Sequence, residues 1–188
     1  MTKILAFSGS SRKGSLNKKL VNIAALGAEK EGAEVTIIDL ADYPMPIFNQ
    51  DLESDEGMPE KAREFKNLLI AHDGFLIASP EYNSAFSPLL KNVIDWASRS
   101  EPEEEPSLVA YRGKVAAIMA TSPGGLGGLR GLVFLRMLLS NLGMIVLPKQ
   151  QAIAHAFKAF TPNGMLANEK QQDSVLKLGI ELTQFLKR

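Results

Sequence analysis

A turn near the amino end of the chain has the residue types of an anion-binding site. It joins the apolar run 4–7 to an amphipathic helix that begins near Ser15, and positions 9–19 read Gly-Ser-Ser-Arg-Lys-Gly-Ser-Leu-Asn-Lys-Lys. Four cations thus stand at or just before a helix N-terminus, which its free N–H groups already make positive. These charges would repel one another unless an anion joined them, so the pattern predicts a bound phosphate.

Side chains and backbone of this turn would each supply part of the site. Arg12 can pair with a phosphate, and Gly9 and Gly14 let the backbone approach it closely. The polar side chains that can donate hydrogen bonds are Ser10, Ser15 and Asn17. An ordinary N-cap at Ser15 with solvated lysines is the alternative interpretation.

Two well-known phosphate loops do not fit the turn. The nucleotide-triphosphate loop needs a lysine directly after its second glycine, and Gly14 is followed by serine. The dinucleotide fingerprint needs three glycines at fixed spacing, and Gly9 and Gly14 have no third. Asp39, at the end of the second predicted strand, is where a dinucleotide fold would hold its ribose. Without the glycines, we interpret Asp39 as a strand-end turn residue.

The composition narrows the remaining classes of function. The 188 residues carry 21 basic and 21 acidic side chains, which argues against a nucleic-acid or membrane partner held by bulk charge. No apolar run approaches the length of a membrane span, and the chain enters a strand directly, so we expect a cytoplasmic protein. The absence of cysteine excludes disulfides, cysteine-ligated clusters and thiol nucleophiles. The two histidines are far apart in the sequence, which argues against a metal site.

Apolar strands and amphipathic helices alternate along the chain, as is typical of a parallel sheet covered on both faces. The predicted strands cover residues 3–8, 35–38, 74–78 and 115–120, and a fifth begins at 144–147. The predicted helices begin near residues 15, 59, 88, 129 and 168. We found no internal repeat or domain boundary, so we expect a single domain over residues 1–188.

Three of the predicted strands end in polar loops rich in proline or glycine. In an open parallel sheet such ends meet at one edge, where ligands bind. The first loop suits a phosphate, and the second, Pro80-Glu81-Tyr82-Asn83, suits the edge of a planar heterocycle. The third, which contains Ser122 and Gly124, has little bulk at its tip and can lie against a flat ring. A planar ring on a chain that ends in a phosphate describes flavin mononucleotide (FMN).

Three motifs together resemble the NADPH-dependent FMN reductase family, a flavodoxin-like group that includes bacterial quinone, chromate and azo-dye reductases. They are the turn at 9–17, the Pro-Glu-Tyr-Asn sequence at 80–83 and Leu-Lys-Asn-Val-Ile-Asp-Trp-Ala-Ser at 90–98. The resemblance spans about residues 3–125 and extends in layout to the C-terminus. It implies a flavodoxin-like three-layer α/β sandwich with a five-stranded parallel sheet in the order 2-1-3-4-5, bound FMN, and a homodimer or homotetramer.

Matching positions give the cofactor-binding residues that the resemblance implies. The phosphate is expected at Ser10, Arg12, Ser15, Leu16 and Asn17, with Gly9 opening the turn. The ring and ribityl chain are expected at Pro80, Glu81, Tyr82 and Asn83, with weaker assignments to Ser122 and Gly124. The implied enzyme oxidises NADPH or NADH and reduces a quinone, flavin, azo compound or similar small acceptor by a ping-pong mechanism, with no catalytic side chain and no metal.

Two other functions remain open on the same fold. One is a flavodoxin-type electron carrier without nicotinamide turnover, although such carriers tend to be strongly acidic and this chain is balanced. The other is a flavin-free regulatory protein. The sequence also leaves open the acceptor, the preferred nicotinamide and the roles of the loop at 43–58 and the acidic tract at 101–106. The helix at 129–142 is apolar on both faces, which indicates either a partner subunit or deep burial.

Overall fold

Runs of small and branched apolar residues form the strands of a computed structural model, which describes residues 1–101 and 105–188. In chain order the strands are β1 (Lys3–Ser8), β2 (Glu34–Asp39), β3 (Gly74–Ala78), β4 (Glu81–Tyr82), β5 (Ala85–Phe86), β6 (Val115–Thr121), β7 (Ile145–Val146) and β8 (Gln151–Ile153). The α-helices are α1 (Leu16–Lys30), α2 (Gln50–Glu56), α3 (Glu60–Ala71), α4 (Pro88–Ala97), α5 (Leu129–Asn141), α6 (Ala156–Ala159) and α7 (Glu169–Leu186).

The main sheet is parallel and has the strand order β2-β1-β3-β6, with β7 and β8 both paired to the outer side of β6. The predicted order 2-1-3-4-5 and the flavodoxin-like fold are therefore confirmed. The fifth position differs from the prediction because it holds two short strands, with Pro148 between them. Proline has no N–H to donate to a ladder, so it interrupts the pairing there.

Helices cover both faces of this sheet, which gives the three layers that were predicted. The side chains of Ile4 and Ala6 pack with α1 and α7, whereas those of Leu5 and Phe7 pack with α3, α4 and α5. The contact between α1 and α7 is very close at Gly179, where an added Cβ would lie 1.9 Å from the carbonyl oxygen of Ala24. A side chain at that position would force the two helices apart.

The strand register places the candidate site. Ser8 at the end of β1 lies opposite Asp39 of β2 and Ala78 of β3, and Ala78 lies opposite Met119 of β6. The carboxyl ends of these four strands are therefore level at one edge of the sheet. The loops that follow β1, β3 and β6 leave from that edge, as the sequence predicts.

The long loop at 43–58 is more ordered than a connector, since it contains α2 and is held against α4. The carbonyl of Pro46 accepts hydrogen bonds from Asn92 (2.9 Å) and from the indole of Trp96 (2.8 Å), and the N–H of Phe48 donates to Asn92 (2.8 Å). The sequence of this loop shows no apolar residues at helical spacing, because none of the residues of α2 is buried.

The acidic tract at 101–106, whose role the sequence leaves open, lies partly outside the described residues, at 102–104. At its two described ends, Glu101 pairs with Arg63 and Glu105 pairs with the buried Lys66. Arg63 and Lys66 both lie on α3. None of the described helices is long and apolar enough to cross a membrane.

Candidate functional site

A cleft opens at the edge of the sheet where β1, β3 and β6 end. It is lined by Ser10, Arg12, Ser15, Leu16, Asn17, Pro80, Glu81, Tyr82, Thr121, Ser122, Pro123, Ala156 and Phe157. Nine of the twelve residues predicted to bind the cofactor are among them, and the other three, Gly9, Asn83 and Gly124, are not. The three polar loops thus meet, as the sequence predicts.

The N-terminus of α1 faces the cleft without a side-chain cap. Ser15 precedes the helix in an extended conformation, and its hydroxyl makes no capping hydrogen bond. Its own N–H donates to the carbonyl of Arg12 (3.2 Å), which closes the turn. The N–H groups of Leu16 and Asn17 have no partner within the helix. The helix end therefore offers a phosphate free N–H donors, the hydroxyls of Ser10 and Ser15, and the guanidinium of Arg12. The alternative interpretation, an ordinary N-cap formed by the Ser15 side chain, is wrong.

Lys18 does not contribute its charge to the cleft, because it pairs with Asp39 at the end of β2. The sequence predicts repulsion among four cations at an empty helix end. That prediction was wrong in part, because Asp39 at the end of β2 pairs with one of the four, Lys18. Burial raises the pKa of Asp39, but hydrogen bonds from Lys18 and from the N–H of Ala41 outweigh it and leave the pKa below its usual value. The turn interpretation of Asp39 holds, and Arg12 is the cation that lines the cleft.

Asn17 joins the first loop to the third. Its side-chain amide donates to the carbonyl of Thr121 and accepts from the N–H of the same residue, both at 3.0 Å and both buried. The amide keeps one N–H for a ligand, so most of its hydrogen-bonding capacity positions the helix. Thr121 was missed by sequence reasoning because it is 104 residues away and ends an unbroken apolar strand.

The second loop, which the sequence predicts as a polar loop after a strand, contains a β-hairpin formed by β4 and β5. Tyr82 pairs with Ala85, and the two residues between them, Asn83 and Ser84, have positive φ angles of 50° and 73°. Hairpin turns of this kind favour Asn-Gly, so Asn-Ser gives a weak signal. Tyr82 lies in the cleft with 53% of its surface exposed, and Asn83 lies at the hairpin tip.

The carboxylate of Glu81, a lining residue of the cleft, is bonded to α5. It accepts hydrogen bonds from Arg130 (2.7 and 3.0 Å) and from the backbone N–H of Gly131 (3.1 Å). Helix α5 follows Gly128 and has no cap of its own. Glu81 therefore caps α5, and its carboxylate is engaged there by Arg130 and Gly131.

Gly9 and Gly124 support the cleft from outside it. An added Cβ at Gly9 would lie 3.0 Å from the Cβ of Leu90, and the carbonyl of Gly9 accepts from the hydroxyl of Ser87 (2.5 Å). The close approach predicted at Gly9 is thus an approach to α4. The carbonyl of Gly124 accepts from the N–H of His155 (3.2 Å), which ties the third loop to the segment after β8.

Phe157 is a lining residue that sequence reasoning missed. It lies on the short helix α6 with 75% of its surface exposed, and Ala156 beside it also lines the cleft. No motif marks this segment, and the interruption at Pro148 hid the end of the fifth strand position. The exposure of Phe157 is evident only from the structure, so the sequence offered no signal for it.

Comparison with known proteins gives one consistent result. The profile of a family described as NADPH-dependent FMN reductase matches residues 2–158. An NAD(P)H-dependent FMN reductase from Pseudomonas aeruginosa is 35% identical over 92% of this chain and 89% of its own length. An NADPH:quinone oxidoreductase from Arabidopsis thaliana is 34% identical over 100% of this chain and 93% of its own length.

The fold gives the same answer. The structure of a flavoenzyme NAD(P)H:(acceptor) oxidoreductase from Paracoccus denitrificans superposes with a TM-score of 0.82 at 28% identity, over 100% of this chain and 98% of the other. The resemblance stated from the motifs is therefore confirmed. The chain belongs to the NADPH-dependent FMN reductase family, whose members are oxidoreductases.

Proposed function

We propose that this FMN-dependent NAD(P)H oxidoreductase reduces quinones, and that donor and acceptor react in turn at one cleft. The observation that carries the proposal is the uncapped N-terminus of α1, with Arg12 beside it, at one end of a cleft formed by three strand ends. Relatives named as quinone oxidoreductases, which align over nearly the whole chain, support the choice of acceptor.

The residues of the first loop would hold the phosphate of FMN. Arg12 offers a charge-assisted pair, and the hydroxyls of Ser10 and Ser15 and the free N–H groups of α1 offer hydrogen bonds. Pro80, Tyr82 and Ser122 would lie along the ring and ribityl chain. When bound, FMN would supply the chemistry of two-electron transfer from the nicotinamide to the acceptor.

No side chain of the cleft needs to act as an acid or base. The one carboxylate among the lining residues, that of Glu81, is occupied by Arg130 and Gly131. The balanced reaction is NAD(P)H plus a proton and a quinone giving NAD(P)⁺ and a hydroquinone, and the protons can come from solvent. Since donor and acceptor must reach the same ring, a ping-pong order follows. Parallel lines in double-reciprocal plots would support it.

The phosphate assignment is tested by Arg12→Ala. A hydrogen bond to a charged group contributes about 1.5–3 kcal/mol, so FMN affinity should fall about 10- to 150-fold. Riboflavin, which lacks the phosphate, should bind with little change, as measured by flavin fluorescence quenching. Lys13→Ala is the matched control, since Lys13 is exposed in the same loop but does not line the cleft. Equal losses for both flavins would remove the assignment.

Turnover separates the enzyme from the alternatives. Steady-state oxidation of NADPH and NADH, with a panel of quinone, azo and flavin acceptors, should show turnover with a quinone. FMN binding without nicotinamide oxidation would support the electron carrier, and no flavin uptake would support the regulatory protein. The same panel identifies the preferred acceptor.

We also propose that the chain forms a homo-oligomer through the outer face of α5. Leu132, Leu135 and Leu139 are buried on the sheet, whereas Val133 and Met137 are about 60% exposed. Deep burial of both faces, the other sequence interpretation, is thus excluded within the described residues. Met137→Glu should shift the sedimentation of a dimer or tetramer to that of the monomer.

Two further expectations from the sequence remain predictions. One is a single domain, which is testable as one unfolding transition, and the other is a cytoplasmic location.

A further inference from the structure

A second groove adjoins the candidate flavin cleft. It is lined by Pro123, His155, Phe157 and Lys158, all of them exposed. Pro123 and Phe157 also line the cleft, so the two depressions share a wall. A molecule whose reactive end lay in the cleft could extend directly into this groove.

The backbone of the groove is firmly attached to the third loop. The N–H of His155 donates to the carbonyl of Gly124 (3.2 Å), and the N–H of Ala156 donates to the carbonyl of Ser122 (3.0 Å). His155 is held in the left-handed region, at φ 52° and ψ 46°. Such a conformation is costly for a residue with a side chain, so the fold fixes the direction of this segment.

The side chains of the groove are free to meet a ligand. Among the described residues, Lys158 takes part in no ion pair and neither Lys158 nor His155 makes a side-chain hydrogen bond. An exposed aromatic ring beside an unpaired cation suits a phosphorylated purine, which stacks on the ring and pairs with the charge. Arg12, the cation of the neighbouring cleft, is already assigned to the flavin phosphate, so a second phosphate needs another cation.

We propose that this groove binds the adenosine end of the nicotinamide substrate, with Phe157 against the adenine and Lys158, next to His155, pairing with the 2′-phosphate that distinguishes NADPH from NADH. The inference rests on the proposed function, since it assigns the part of the substrate that does not react. It makes Lys158 the residue that determines the choice between the two nicotinamides.

Binding of adenosine 2′,5′-bisphosphate to the FMN-saturated protein tests the proposal without turnover. By isothermal titration calorimetry, Lys158→Ala should weaken this probe about tenfold and leave adenosine 5′-monophosphate within about twofold. Phe157→Ala should weaken both probes, because stacking does not depend on the 2′-phosphate. Lys170→Ala, an exposed lysine at the start of α7, is the matched control and should change neither.

Steady-state kinetics gives the second readout. Lys158→Ala should raise the KM for NADPH about tenfold and the KM for NADH less than twofold, with kcat unchanged. The inference is overturned if Lys158→Ala and Lys158→Glu leave bisphosphate binding unchanged, or if they raise the KM of the quinone instead. Failure of the proposed function would appear differently, as a wild-type protein that takes up no FMN or does not oxidise NADPH.

Discussion

Glu81→Ala separates a residue that contacts the cofactor from one that holds the loop in place. The Glu81 carboxylate bonds to Arg130 and to the N–H of Gly131, and its side chain is only 9% exposed. We expect the variant to lose thermal stability while keeping most of its FMN affinity well below the unfolding temperature. The hairpin would then be loosened, but no direct contact with the cofactor would be lost.

The structure sets the size of the effect. The Arg130 side chain is 58% exposed, so its ion pair contributes about 0–1 kcal/mol after screening by solvent. The partly buried bond to Gly131 acts as a helix cap and contributes about 1–2 kcal/mol. Together these give about 2 kcal/mol, which lowers the melting temperature of a chain of this size by about 4–8 °C.

Differential scanning fluorimetry and FMN titration should be run in parallel on three variants. Arg130→Ala removes only the exposed pair and should lower the melting temperature by less than about 4 °C. Glu81→Gln keeps an acceptor for the N–H of Gly131. Its melting temperature should therefore lie between those of Arg130→Ala and Glu81→Ala. A tenfold loss of FMN affinity in Glu81→Ala at an unchanged melting temperature would refute the capping role.

Three further predictions concern other contacts. Gly179→Ala places a Cβ 1.9 Å from the carbonyl oxygen of Ala24 and should destabilise the fold by about 3 kcal/mol in urea titrations; an unchanged midpoint would contradict the α1–α7 contact. Ser84→Gly relieves a φ of 73° and should raise stability by about 1 kcal/mol; a loss would mean that the hairpin turn is different. Hydrogen bonds outweigh burial to lower the pKa of Asp39, so its carboxylate stabilises the fold above about pH 3.9 and loses this effect as the pH falls through the lowered pKa. Asp39→Asn should therefore have a lower free energy of unfolding at pH 7. Between about pH 5 and 2 that free energy should depend less on pH than in the wild type, as measured by denaturation at each pH. An unchanged pH profile would exclude a role for Lys18 in stabilising the Asp39 carboxylate.

The features that could be predicted from the sequence are those that neighbouring residues determine. The alternation of apolar strands and helices predicted the parallel sheet, and three motifs predicted the family, with its FMN cofactor and nicotinamide substrate. The carboxyl ends of parallel strands lie at one edge by topology, so the meeting of Ser10, Tyr82 and Ser122 also followed from local patterns.

The features that were missed depend on residues far apart in the chain. The partner of Lys18 is 21 residues away, that of Asn17 is 104 residues away and that of Glu81 is 49 residues away. No local pattern indicates which acid will reach which cation, because that depends on the register of the sheet. We therefore expected more unpaired positive charge at the first loop than the structure contains, because Lys18 is paired with Asp39.

These distant contacts connect each loop of the cleft to a separate part of the scaffold. The first loop is bonded to β6 through Asn17 and to α4 through Gly9, the second to α5 through Glu81, and the third to the segment after β8 through Gly124. Most of the bonds use backbone groups, which do not titrate near neutral pH. A cofactor that carries its own redox chemistry needs a rigid and correctly shaped site more than an ionisable side chain. Loss of the Asn17 contact, which positions the loop assigned to the phosphate, should therefore change how tightly FMN binds and leave the turnover per bound flavin nearly constant.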